Sequence, residues 1–163
     1  MVILFLVCVS LASAQTAIVP ASGDPESVLA GIDIHHMRIA DVQRLFGEQE
    51  AMYAVTADPY PAGTKLYKWG RLTVTLKVLT EPTIKDGDVI RAIEIAGEGE
   101  PGDKAINKTG RGLKLGAKAG EVRKLYGVEA GEGTNKIQWE DGTTLVVTVN
   151  EKERVSKLEL RAP

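Results

Sequence analysis

A short helical segment closed by glycine occurs twice, and no other feature restricts the fold of this chain as tightly. The second occurrence lies within Gly112–Gly127. Leu113 and Leu115 alternate with polar neighbours, as in an extended lead-in. Val122, Leu125 and Tyr126 then fall at i, i+3 and i+4, which places them on one helix face. Gly127 is the stop, because glycine reaches positive φ without a Cβ clash. Within Ile39–Gly47, Val42, Leu45 and Phe46 repeat that spacing and Gly47 repeats the stop. The chain reads as one unit written twice.

The residues after each helix point the same way. Leu66–Trp69 turns at Gly70 and Arg71 into Leu72–Leu79, where Leu72, Val74, Leu76 and Val78 alternate with Thr73, Thr75 and Lys77. That period of two predicts a half-buried strand. Ile137–Trp139 turns at Asp141-Gly142 into Thr143–Val149, and Asp-Gly between alternating runs is a strong hairpin signal. Trp69 and Trp139 both stand just before the turn. Val89–Ala96 and Arg154–Leu160 close the units, with Ile90, Ile93 and Ile95 spaced as Val155, Leu158 and Leu160. The expectation is an α+β chain of two tandem helix-plus-antiparallel-meander repeats, 31–96 and 112–163. The stretch 97–111, rich in Gly, Glu, Pro and Lys, reads as a solvated linker. Glu48–Thr64 reads as a long connection whose Pro59 and Pro61 make a rigid exposed loop. A lone unit of this size buries too little surface to be stable, so the two are expected to pack together.

The N-terminus is of another kind. Residues 1–14 form an apolar run ending in Ala12-Ser13-Ala14, which reads as a secretory signal cut after Ala14, although no Lys or Arg precedes the run. The competing reading is a buried N-terminal strand. The single cysteine, Cys8, lies inside this run, so the mature chain would hold no disulfide and no thiolate. Residues 15–30, with Pro20, Ser22, Gly23, Asp24 and Pro25, read as a flexible leader, in which Asp24 is placed to cap a helical turn through Leu29. The net charge of −2 and the lack of a basic stripe argue against nucleic acid as a partner. No later apolar run is long enough for a membrane span.

Taken together, Gly-Leu-x-Leu-Gly, Val-x-x-Leu-Tyr-Gly, the tryptophan strand, Asp-Gly and the closing Val-x-x-Leu-x-Leu resemble the SmpA/OmlA-type outer-membrane assembly module. The tandem arrangement resembles the β-lactamase-inhibitor-protein fold, built from two such units. The likeness spans Gly31–Ala96 weakly and Gly112–Leu160 well. It implies a protein that binds another protein of the cell envelope and is not an enzyme, with the sheet face opposite the helices as a concave docking surface. Two departures stand out. The assembly lipoproteins carry an acylated cysteine, where this chain has Gln15. The inhibitors have a disulfide in each unit and a face crowded with aromatic residues.

Candidate contact residues are Tyr53, Tyr60, Tyr67, Trp69 and Trp139. Tryptophan and tyrosine are favoured anchors at interfaces. The alternative for the two tryptophans is that they fill space between helix and sheet, since Trp is highly buried on average. Tyr60, between Pro59 and Pro61, sits on an expected loop tip. His35 and His36 are neighbours that point apart in an extended segment, which does not suit a shared metal, so neither metal nor cofactor is expected. Gly97–Gly102 matches G-x-G-x-x-G in form only, because no helix opens there and Glu98 and Glu100 would repel a pyrophosphate. Asn107-Lys108-Thr109 is a glycosylation sequon, used only in a eukaryotic host. The function expected is a noncatalytic periplasmic or secreted protein-binding module. The alternatives are a secreted inhibitor of the β-lactamase-inhibitor type, or a carboxylate-based hydrolase whose residues converge only in three dimensions.

Overall fold

The computed structural model describes residues 18–21, 23–55, 64–70, 72–78, 88–97 and 107–163. In chain order the elements are β1 Ile18–Pro20, β2 Val28–Leu29, β3 Ile32–Asp33, α1 Ile39–Phe46, β4 Ala51–Val55, β5 Thr64–Trp69, β6 Leu72–Val78 and β7 Asp88–Ala96. After these come α2 Gly120–Tyr126, β8 Gly133–Gln138, β9 Thr144–Val149 and β10 Val155–Arg161. The architecture is mixed α and β, with antiparallel pairing dominant and two helices among the described residues.

Among the described residues eight strands form one sheet in the order β1-β8-β9-β10-β7-β6-β5-β4. Every pair is antiparallel except β1 with β8. Two meanders, β5-β6-β7 and β8-β9-β10, therefore meet through their last strands. The seam pairs Ile93 with Leu160, Glu94 with Glu159 and Ile95 with Leu158. Strand alternation sorts the side chains: Ile93, Ile95, Leu158 and Leu160 are fully buried, and Glu94 and Glu159 between them point to the other face.

Both helices pack on the buried face. Val42 and Val122 are each fully buried in one hydrophobic cluster shared with Ile137, Leu145 and Val147. The start of each helix is stitched to the beginning of the last strand of its own meander, Arg38 to Val89 and Lys118 to Arg154. Asp41 accepts the Arg38 backbone N–H at 2.9 Å, satisfying a donor at the opening of α1. Gly127 closes α2 in the left-handed conformation at φ 72, its N–H donating to the Arg123 carbonyl at 2.9 Å.

Four expectations need correction. The described part of the expected leader, 18–21 and 23–30, is not free: Ile18–Pro20 adds to the outer edge of β8, Ala21 N–H donates to the Gln138 carbonyl at 2.9 Å, and Val28–Leu29 is strand, not a helical turn. β-Branched Ile18 and Val19 favour strand, and Pro20, without an N–H, is tolerated at an edge. Within the expected connection 48–64, Ala51–Val55 is strand β4; Met52, Tyr53 and Val55 pair readily with β5, and the prolines lie beyond it. Of the expected linker, Asn107–Arg111 is packed structure, with Thr109 bridged to Leu29 and 1% exposed. Finally, Leu45 is 57% exposed. The short α1 turns Ile39, Val42 and Phe46 toward the core and leaves Leu45 on its flank. The loop tip Asp58–Gly63, with Tyr60, lies outside the described residues.

Candidate functional site

The five aromatic candidates separate by burial. Tyr67, Trp69 and Trp139 are buried, and a buried ring offers no surface to a partner. Tyr67 stacks on Trp69 with centroids 6.2 Å apart, and Trp69 meets Phe46 at 6.4 Å. The Trp69 indole Nε1 donates to the Gly47 carbonyl at 3.0 Å, satisfying a helix-terminal acceptor. In the second half Trp139 meets Tyr126 edge-on at 6.2 Å. Tyr53 is 53% exposed on β4, and Tyr60 lies outside the described residues.

Tyr126 stands one residue before the glycine that ends α2, as Phe46 does in α1, and its hydroxyl organises a buried polar knot. Glu26, Thr109 and Tyr126 are 4%, 1% and 5% exposed. A carboxylate only accepts, so Tyr126 Oη donates to Glu26 Oε2 at 2.7 Å and receives the Thr109 hydroxyl proton at 2.7 Å. Thr109 Oγ1 in turn accepts the Leu113 N–H at 3.2 Å. Glu26 also accepts the backbone N–H of Val28 and of Arg111, each at 3.2 Å. Arg111 lies over the rings of Tyr126 and Trp139, 5.2 and 5.9 Å from their centroids, and donates to the carbonyls of Asp24 and Leu125. Burial pushes the Tyr126 hydroxyl far above its usual pKa, and the Glu26 charge adds to this. A phenol held protonated in this way binds the segment before β2, the 107–113 turn and α2 together. Sequence reading missed Glu26 and Thr109. The one available signal was Tyr126 itself, a polar tip at a position buried by the helix pattern.

The sheet face opposite the helices carries charge at the seam. Glu94 and Glu159, directly opposite each other, would repel. Lys157 Nζ stands 2.6 Å from Glu94 Oε2 and 3.8 Å from Glu159 Oε2. Arg161 grips Glu159 with two N–H groups, at 2.6 and 3.0 Å. The four charges cancel. Around them stand Lys136, Thr144 and Thr148 at partly exposed positions, and Thr134 exposed.

Among the described residues Asp33 and His36 lie side by side at the turn before α1. Asp33 is raised by burial, but the His36 side chain and the backbone N–H groups of His35 and His36 more than offset this and hold it below its usual value. Such a carboxylate is a poor proton donor or acceptor near neutrality. His36 Nδ1 lies 3.0 Å from Asp33 Oδ2, and both histidines are exposed.

No family model matches the chain, and no curated protein matches it. Among solved structures it is similar to a cysteine-rich secretory protein from Staphylococcus aureus, with a TM-score of 0.53 and 14% identity over 90% of this chain and 50% of that one. The chain thus spans about half the length of that structure, and the likeness bears on fold alone. A DUF4309 family protein from Bacillus subtilis aligns with a TM-score of 0.45 and 17% identity, over 82% of this chain and 83% of that one. Neither carries the name of a family that the sequence motifs resemble.

Proposed function

We propose that this chain is a noncatalytic protein-binding module of the periplasm or the secreted space, made by tandem duplication. In this reading residues 1–14 direct export and another envelope protein docks on the sheet face opposite the helices. One observation carries the reading: both helices pack on the same side of one sheet that runs through both meanders. The other face is then a broad rigid platform, with a self-neutralised charge lattice at its centre.

Paired correspondences support the duplication. Val42 and Val122 are both fully buried, and Trp69 and Trp139 each touch the last aromatic residue of the preceding helix. The turns 28–33 and 108–114 lead into their helices and meet each other at Leu29 and Thr109.

The test uses chain from Gln15 onward as bait in an envelope extract. The control is Thr134→Arg/Thr148→Arg, two positions opposite each other across β8 and β9 on the docking face. The reading expects partners captured by the native chain to be lost with the variant at unchanged melting temperature. An identical captured set overturns the docking face. Stoichiometric inhibition of a purified β-lactamase would assign the inhibitor role instead of a scaffold role.

A further inference from the structure

We propose that β4 is a self-association edge, through which two copies pair antiparallel, β4 to β4, about a two-fold axis. Among the described residues the sheet has two edges, and they are treated differently. The β8 edge is closed by β1, a short uncharged segment of the same chain. β4 lies at the other end of the sheet order, with β5 as its partner among the described residues. An outermost strand presents a row of free N–H and C=O groups, which proteins ordinarily guard with charges or proline. Ala51-Met52-Ala54-Val55 and the intervening Tyr53 contain neither.

The side chains ask for an apolar strand on both faces. Leu45, Met52 and Tyr53, at 57%, 52% and 53%, are the exposed large hydrophobic residues among the described ones, and Met52 and Tyr53 stand on β4. Met52 lies opposite Tyr67, on the helix side, and Tyr53 lies opposite Leu66, on the other side. A second β4 fits this demand, because it too is apolar on both faces. Pairing centred on Tyr53 sets Met52 against Ala54 of the other copy, a large side chain against a small one.

Charge favours a second copy over an unrelated strand. Lys65 is the β5 partner of Ala54, and Glu50 precedes β4 on the same face as Met52 and Ala54. Across the two-fold axis Glu50 of one copy lies diagonal to Lys65 of the other, two strands away. That separation is roughly 12 Å between Cα atoms from standard strand spacings, within reach of these two side chains. Symmetry makes the contact twice. Among the described residues neither Glu50 nor Lys65 has an ion-pair partner within its own copy. This inference does not use the docking face opposite the helices.

The experiment is sedimentation equilibrium of the purified chain over a wide concentration range. The expected mass is that of two copies. Tyr53→Lys, which sets two cations against each other at the axis, should give the mass of one copy, with the melting temperature of the native chain diluted until it is a single copy. Glu50→Lys or Lys65→Glu alone should weaken the dimer roughly tenfold, by turning two attractions into repulsions. The double exchange Glu50→Lys/Lys65→Glu should restore it. A single-copy mass at every concentration overturns the proposal. A dimer indifferent to Tyr53→Lys overturns it also, as does failure of the double exchange to restore association.

Discussion

Removing the Tyr126 hydroxyl tests the polar knot at its centre. Tyr126→Phe keeps the ring against Trp139 and removes only the hydroxyl. It deletes two hydrogen bonds of 2.7 Å, one to a carboxylate that is 4% exposed. Hydrogen bonds to charged groups contribute about 1.5–3 kcal/mol, and a buried donor left without a partner costs a comparable amount. The Thr109 hydroxyl would be so stranded. The expected loss is about 2–3 kcal/mol in urea unfolding at unchanged m, or roughly 5–10 °C in melting temperature for a chain of this length. The pH dependence gives a second readout. The folded protein holds the Tyr126 proton above the ordinary phenol value of 10.0, where the unfolded chain releases it. The unfolded state then binds fewer protons, so stability falls as pH rises. The advantage of the native chain over Tyr126→Phe should be constant below pH 10. Above it the advantage should shrink by up to about 1.4 kcal/mol per pH unit. A loss under about 0.5 kcal/mol, or a difference that does not narrow above pH 10, refutes the knot.

Three further outcomes follow from the packing. Gly110→Ala would place a Cβ 2.7 Å from Glu26 Oε1 and 3.2 Å from Val28 Cβ, against a carboxylate held by three donors, and should cost about 1–3 kcal/mol by denaturant titration. Leu45→Lys should change stability by less than about 0.5 kcal/mol, because Leu45 is exposed, whereas a core position would lose several times that. Trp69→Phe removes the indole N–H that donates to the Gly47 carbonyl at 3.0 Å, and thermal melts should show a loss about 1 kcal/mol beyond what the lost ring area explains.

The parts of the fold legible in the sequence are those governed by short-range periodicity. Val42 and Val122, the alternation of Ile93 and Ile95, and the Asp141-Gly142 turn each announce themselves within a few residues. What escaped depends on partners far along the chain. Ile18–Pro20 looks like a leader until the edge of β8, more than a hundred residues later, offers it a ladder. Glu26 follows a proline in a polar stretch, and nothing local shows that Tyr126 will need its carboxylate. Leu45 fits the helical period as well as Phe46 does, but an eight-residue helix shows only a narrow stripe to the sheet, and the sequence does not say which flank stays outside. The burial of Tyr67, Trp69 and Trp139 escaped for the same reason. A tryptophan before a turn serves equally well in a core or on a face, and only the helix above Trp69 decides between them.

The account rests on two meanders joined back to back through their closing strands. Backbone NOEs between β7 and β10 test this most directly. The account predicts cross-strand contacts in the register Ile93 to Leu160, Glu94 to Glu159 and Ile95 to Leu158, with slow amide exchange on both strands. Contacts that place β7 beside any other strand of the second half, or two sheets with no contact between β7 and β10, would contradict it.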